Sequence, residues 1–195
     1  MSRQSQLLLG TRRQAVRPAV GLVALLAGLG LGLGPTAGQT AHAAGPLDWH
    51  IARNGPAGQQ LTSGLAVRLV NVTLVNNDVL AYGEREYGIN LVWQSNSGQE
   101  NIRFYKAGGG TIRQGDRVAL HVQNGGYVKY GERQYGINLV WSASPVYEWE
   151  VFGGTPGTPV VMGPFTFHGL RNTAIQRAVV YGERQYGINL VWFGG

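Results

Sequence analysis

Glutamate, arginine and two tyrosines recur together in a twelve-residue phrase that the chain contains three times. The phrase reads YGEREYGINLVW at residues 82–93 and YGERQYGINLVW at 130–141, and the second form returns unchanged at 181–192. A carboxylate and a guanidinium form strong hydrogen bonds with polar groups, and a tyrosine ring covers a flat apolar face. This combination suits a sugar ring, and the arginine also suits an acidic sugar or a sulfate.

The segments between the copies have diverged, so the phrase has been kept while its surroundings changed. Binding residues tend to lie on loops carried by a rigid scaffold, which favours three equivalent ligand sites, one in each copy. The alternative is a structural ring in which Glu84, Glu132 and Glu183 pair with an arginine of a neighbouring unit. The candidate ligand-binding residues are Tyr82, Glu84, Arg85, Tyr87, Asn90, Tyr130, Glu132, Arg133, Tyr135, Asn138, Tyr181, Glu183, Arg184, Tyr186 and Asn189.

Each phrase is predicted to be a hairpin, with a loop between two strands. In INLVW, the isoleucine, leucine and tryptophan lie on one face of the second strand, and we expect Ile89, Leu91 and Trp93 and their counterparts to pack in the core. Glycine at both ends of the loop suits a tight connection. The asparagine either bonds its own hairpin backbone or contacts a ligand, and the sequence leaves both roles open.

One further strand precedes each phrase, and another follows the first two copies. Upstream, apolar residues alternate with small or polar ones, which predicts half-buried strands. The residues expected to face inward there are Val67 and Leu69, Val118 and Leu120, and Phe165 and Phe167. Downstream, NIRF and EWEV follow the first two copies but no equivalent follows the third, whereas DWHI stands alone at 48–51. We therefore expect the N-terminal strand to complete the third unit.

Three units of about four strands predict an all-β domain at 44–195. Propeller repeats have similar lengths, but propellers need at least four blades. Repeat number, length and strand order resemble the β-trefoil superfamily, and GDRVALHVQNGGYVKY is similar to the opening strands of ricin-B-type lectin and fascin-like trefoil domains. This resemblance implies a single β-trefoil with pseudo-threefold symmetry. Asn-Leu-Val-Trp replaces the Gln-x-Trp signature of the ricin-B pattern, so that family's sugar-binding residues are not carried over.

Residues 1–43 have the features of a secretory signal peptide. They contain four arginines and no acid, an apolar Gly- and Ala-rich stretch, and the small-x-small end AHA. We therefore predict a secreted or periplasmic protein without a membrane span in its mature part, exported by the general or the twin-arginine route. The full chain has a net charge of +6, but residues 44–195 carry about +2, which argues against nucleic acid as the partner.

The sequence offers no motif for catalysis, a cofactor or a metal. His50, His121 and His168 fall at non-equivalent places without metal-ligand spacing. The triplicated glutamates each precede an arginine, which keeps a carboxylate ionised and unsuited to general-acid catalysis. The expectation is a lectin-like binding protein and no enzyme.

Two other functions fit the same pattern. A protein-binding module, such as a protease inhibitor or the receptor-binding subunit of a toxin, would use one asymmetric loop among the unrepeated stretches 54–60, 142–147 and 153–164. A structural surface protein would use the repeat only for folding. The oligomeric state does not follow from the sequence.

Overall fold

The computed structural model describes residues 46–194, and the predicted signal peptide at 1–43 lies outside them. Within this range the chain is all-β and contains no helix. The strands are β1 (Trp49–Ala52), β2 (Ala66–Asn71), β3 (Val79–Tyr82), β4 (Leu91–Gln94), β5 (Ile102–Lys106), β6 (Arg117–Val122), β7 (Gly126–Tyr130), β8 (Leu139–Ser142), β9 (Trp149–Phe152), β10 (Gly169–Asn172), β11 (Arg177–Tyr181) and β12 (Leu190–Phe193).

All strand pairs are antiparallel, and hydrogen bonds join the twelve strands into one sheet. The main path runs β12-β11-β10-β9-β6-β5-β2-β3-β4, with β1 beside β2 and β7 between β6 and β8. Each repeated phrase connects a hairpin, as its glycines and alternating apolar residues predict: β3 with β4, β7 with β8, and β11 with β12. The all-β prediction is therefore confirmed.

The buried apolar residues form one hydrophobic core, and the apolar residues of the phrase belong to it. Ile89 and Leu91 are buried, and so are their counterparts in the other two copies. Trp93, Trp141 and Trp192 are partly buried and pack against the same core. The sequence prediction is confirmed here, because large apolar side chains at a spacing of two share the inner face of a strand.

The N-terminal strand β1 has the same register as β5 and β9. Ile51 pairs with Leu69, as Phe104 pairs with Leu120 and Val151 with Leu170. At its other edge, Trp49 and His168 exchange two backbone hydrogen bonds, N to O, of 3.0 and 2.8 Å. The equivalent bridges join Ile102 to Val67 and Trp149 to Val118.

The prediction that Phe165 and Phe167 face inward is wrong. Phe165 is 89% exposed and Phe167 is 48% exposed, while His168 and Leu170 are buried. Backbone pairing between β9 and β10 sets this register, with Gly169 opposite Phe152. The ring of Phe152 lies over Gly169, where an added Cβ would be 2.0 Å from Cζ, so only glycine fits there. The inward positions are therefore shifted by one residue from Phe167 to His168.

His168 thus occupies the core position that valine holds in the other two units, at Val67 and Val118. Its Nε2 donates to the carbonyl oxygen of Val161 at 2.9 Å. Burial lowers the pKa of His168 below 6.5; the hydrogen bond to Val161 opposes this shift, and the nearby His50 adds to it. The imidazole is therefore neutral in the folded protein at pH 7.

We expect the protein to lose stability as the pH falls from 6.5 towards 5, and the His168→Val variant to lose less. Below pH 6.5 the unfolded chain binds a proton that the folded chain does not, which lowers the free energy of unfolding by up to about 1.4 kcal/mol per pH unit for one such group. His50 and His121, whose pKa values burial also lowers, keep part of this slope in the variant. Thermal melting between pH 7.5 and 5 measures both slopes, and equal slopes would contradict the assignment to His168.

Candidate functional site

The three repeated loops lie against one another, so they form one surface. This surface, called the loop surface below, consists of residues 84–88, 132–136 and 183–187. Its centre is the closing glycine of each loop: a Cβ added to Gly187 would be 3.0 Å from the Cα of Gly136, and one added to Gly88 would be 3.2 Å from the Cα of Gly187. The three glycines also have φ values of 78° to 83°, which glycine adopts at little cost.

Three tyrosines cluster beside these glycines. The ring centroids of Tyr87, Tyr135 and Tyr186 are 5.2 to 5.4 Å apart and meet at steep angles. Such edge-to-face contacts contribute about 0.5–1.5 kcal/mol each beyond the burial of area. Each tyrosine is still about two-fifths exposed, so the cluster offers an aromatic patch to solvent.

The first tyrosine of each phrase packs on the tryptophan of another copy. The three contacts form a cycle that joins all copies, with centroids 6.1 to 6.3 Å apart: Tyr82 with Trp141, Tyr130 with Trp192, and Tyr181 with Trp93. All six rings are partly buried. Tyr82, Tyr130 and Tyr181 therefore contribute to the packing between hairpins.

Two of the three arginines fasten one loop to another. Arg85 Nη2 donates to the carbonyl oxygen of Gly187 at 2.6 Å, and Arg184 Nη2 donates to that of Gly136 at 2.6 Å. Arg133 contacts its own hairpin instead, with Nη1 3.4 Å from the carbonyl oxygen of Leu139. A guanidinium that bonds a backbone carbonyl keeps its charge and other donors for a ligand.

The asparagines bond their own hairpins in two copies. The Oδ1 atoms of Asn138 and Asn189 accept from the backbone N–H of Arg133 and Arg184 at 3.3 and 3.2 Å. This is the turn-stabilising alternative of the two roles that the sequence left open. Asn90 is partly buried at the same position.

The opening glycines have a steric role that the sequence analysis did not identify. A Cβ added to Gly83 would be 2.6 Å from the Cγ2 of Val92, and the same conflict occurs in the other two copies. The valine on the outer face of the second strand therefore lies directly over the glycine. This position requires space, whereas the closing glycines also require a positive φ.

Within residues 46–194, the triplicated glutamates are exposed and take part in no ion pair. Among residues 46–194, the salt bridges are Arg53–Glu100, Lys106–Asp116 and Arg171–Glu150. The described loops therefore do not form the ring of glutamate–arginine pairs considered from the sequence. Glu84, Glu132 and Glu183 also form no hydrogen bond through their side chains within the described part of the chain, so their oxygens remain open to an external donor.

Shallow clefts lie between neighbouring loops. One, of about 330 Å³, is lined by Glu84, Arg85, Tyr87, Tyr186 and other residues of the first and third loops. A second, of about 340 Å³, is lined by Glu132, Arg133, Tyr135 and residues of the first loop. The structure thus brings a carboxylate, a guanidinium and a tyrosine together in each cleft. Each cleft is shared by two units, whereas the sequence predicted one site within each unit.

A larger cleft, of about 450 Å³, lies elsewhere and was not predicted as a site. It is bordered by Arg53, Arg68 and parts of the unrepeated stretches 54–60 and 153–164. Sequence reasoning singled out these stretches as candidate protein-binding loops, but no pattern linked them to the two arginines, which come together only when β1 pairs with β2.

The described residues 46–194 contain no group of three or more His, Cys, Asp or Glu side chains placed to hold a metal ion. In the same range, no helix is long and apolar enough to cross a membrane. In the comparisons with known proteins, no family model, curated protein or solved structure matches the chain.

The Gly187→Ala variant should be markedly less stable than the wild type, because the added methyl group meets the backbone of Gly136. Gly108→Ala is the matched control: Gly108 has nearly the same φ, 78° against 79°, but no atom lies within 4 Å of its added Cβ. The control should lose only the cost of a left-handed alanine, about 1–2 kcal/mol. Chemical denaturation of both variants measures the difference, and equal losses would show that the loops do not depend on this close contact.

Proposed function

We propose that the chain is a secreted carbohydrate-binding, lectin-like β-trefoil whose loop surface contacts the glycan. The observation that carries this proposal is the exposure of Glu84, Glu132 and Glu183. Each of the other shared positions has packing contacts, hydrogen bonds or a steric constraint within the protein in at least two of the three copies. The glutamates have none within residues 46–194, yet they are identical in all three copies, which is the pattern expected of ligand contacts.

The strand pairing supports the β-trefoil as the finer description of this all-β fold. Trp49 Nε1 donates to the carbonyl oxygen of Val179 at 2.9 Å, and Trp149 Nε1 donates to that of Val128 at 2.7 Å. Val179 and Val128 each stand two residues before the first tyrosine of a phrase. The strand β1 therefore has the same relation to β11 as β9 has to β7, as expected if the N-terminal strand completes the third unit.

The side chains in the two clefts match the surface of a sugar ring. A tyrosine edge or face covers the apolar C–H side of the ring, and the carboxylate accepts hydrogen bonds from its hydroxyl rim. The free donors of the arginine suit the hydroxyls or an acidic substituent. Clefts this shallow would bind a single sugar weakly, but several on one rigid body gain avidity on a surface coated with glycans.

The location follows from the predicted signal peptide, which would direct the mature part to the outside of the cell or to the periplasm. A lectin-like role would also need no catalytic group or cofactor. The specific alternative is a structural cap, because the tyrosines, two arginines and the glycines join the loops to one another. The exposed glutamates separate the two functions, since a cap does not need them.

A glycan array tests the proposal with the triple variant Glu84→Gln, Glu132→Gln and Glu183→Gln. We expect the full-length wild type to bind a coherent set of sugars and the triple variant to lose this binding. Its melting temperature should stay nearly unchanged, because solvent-exposed charges contribute little to stability. Substituting the arginines would be a less clean test, since Arg85 and Arg184 hold neighbouring loops.

The matched control is Glu86→Gln, which removes one negative charge from the same loop. Glu86 also lines both clefts, but it is not one of the three shared glutamates to which the proposal assigns the binding. The other two copies have Gln134 and Gln185 at this position, so the change is compatible with the loop and should leave glycan binding intact. Unchanged binding by the triple variant would remove the glutamates from the site. A folded wild type that binds no glycan would leave the structural cap as the role of the phrase and direct the search to protein partners.

A further inference from the structure

The largest of the three clefts described above lies on the outer side of the β1–β2 pair. Its volume of about 450 Å³ falls within the range of small-molecule sites. Arg53, Arg68 and His50 contribute to its wall, and no acidic residue lines it. The wall also includes parts of loops that precede β2 and β10, so the cleft is separate from the loop surface.

The cleft lies at a cross-strand pair in which the large and the small residue have exchanged strands relative to the two equivalent pairs. In β5–β6, Tyr105 pairs with Ala119, and in β9–β10, Phe152 pairs with Gly169. A large ring thus stands opposite a small residue in both. In β1–β2 the small residue is Ala52 and the long one is its partner Arg68. The space that an aromatic ring fills elsewhere is open here, and a guanidinium borders it.

The positive charge of this cleft is only weakly compensated. In the β9–β10 pair, Arg171 donates to both carboxylate oxygens of Glu150 at 2.7 and 2.8 Å. Arg68 instead donates to the side-chain amide oxygen of Asn54 at 2.6 Å. Arg53 has Glu100 nearby, but its Nε is 3.9 Å from the carboxylate, and that carboxylate also accepts from the backbone N–H of Asn54.

Three nitrogen atoms of the cleft residues are buried and lack a hydrogen-bond partner in the described structure: Arg53 Nε, Arg68 Nε and His50 Nε2. The two arginine Nε–H groups are donors, and a buried donor without an acceptor is costly, so such groups are normally paired. Burial also lowers the pKa of His50, which leaves the two arginines as the cationic groups at neutral pH.

We propose that this cleft binds a small polar organic anion, whose carboxylate or sulfate group pairs with Arg53 and Arg68. Guanidinium groups bind planar carboxylates and sulfates through paired, charge-assisted hydrogen bonds. The asparagines of the wall, Asn77 and Asn96, offer amide groups to the polar remainder of the ligand. The volume accommodates a ligand of about the size of one or two sugar rings.

The test is isothermal titration calorimetry of the full-length chain with three matched probes. These are glucuronate, glucose 6-sulfate and glucose, which differ in the charged group. We expect one anionic probe to bind with a stoichiometry of one and glucose to bind at least about tenfold more weakly. The tighter anion identifies the charged group. Absence of binding by both anions up to about 10 mM, with the protein folded, would overturn the proposal.

The decisive variant is Ala52→Phe, which places in β1 the residue that β9 has at the equivalent position. It should fill the cleft and weaken anion binding at least about tenfold. Because the loop surface is untouched, this loss separates the cleft from the proposed glycan site. Arg68→Gln should have the same effect by removing the charge, and it keeps the test valid if Ala52→Phe fails to fold.

Arg177→Gln is the control for net charge, since Arg177 is exposed at the start of β11 and does not border the cleft. It should bind the anion like the wild type. Equal weakening by Arg177→Gln and Arg68→Gln would mean that the anion senses only the overall charge. Unchanged binding by a folded Ala52→Phe variant would place the anion elsewhere. Either result would overturn the proposal.

Discussion

The backbone contact between Gly88, Gly136 and Gly187 determines the arrangement of the loop surface. Each glycine leaves room for the Cα of another, and a side chain at any of them would separate the loops. The tyrosine cluster and the bonds from Arg85 and Arg184 to glycine carbonyls both depend on this approach. The loops therefore act as one assembly, and a ligand would meet the shared surface of two or three loops.

This constraint explains much of the repetition without any ligand. A residue that contacts its own counterparts in other copies cannot change alone, because one substitution disturbs a cycle of three contacts. The glycines and Tyr87, Tyr135 and Tyr186 are residues of this kind. The glutamates are different, since each is exposed and independent of the others. No ion pair or side-chain hydrogen bond within residues 46–194 accounts for their identity in three copies, which is why the proposed function depends on them.

The sequence predicted the features that follow from local spacing. Hairpins, the inward isoleucines and leucines and the equivalence of β1 with β5 and β9 all follow from alternation and repetition. It placed Phe165 and Phe167 in the core because they alternate with small or polar residues, and only pairing with β9 sets the correct register. The structural ring considered from the sequence also brought the loops together, but through glutamate–arginine pairs. The contacts that join them are glycine backbones, tyrosine rings and arginine–carbonyl bonds, because the distances between hairpins depend on how the whole sheet packs.

The repeated units are alike at the loop surface but differ on the outer side of the strand pairs β1–β2, β5–β6 and β9–β10. At the loop surface, the glycines and tyrosines that contact their counterparts are identical in all three copies. On the outer side of the strand pairs, each pair has a different combination of residues: Tyr105 over Ala119, Phe152 over Gly169, and Ala52 beside Arg68. Two of these fill the space with a ring and satisfy the packing of the strand pair. The third leaves a cleft with two arginines, and an open, cationic cleft gains nothing for packing. In the proposed anion site, a bound anion would offset this loss in packing by pairing with the two arginines.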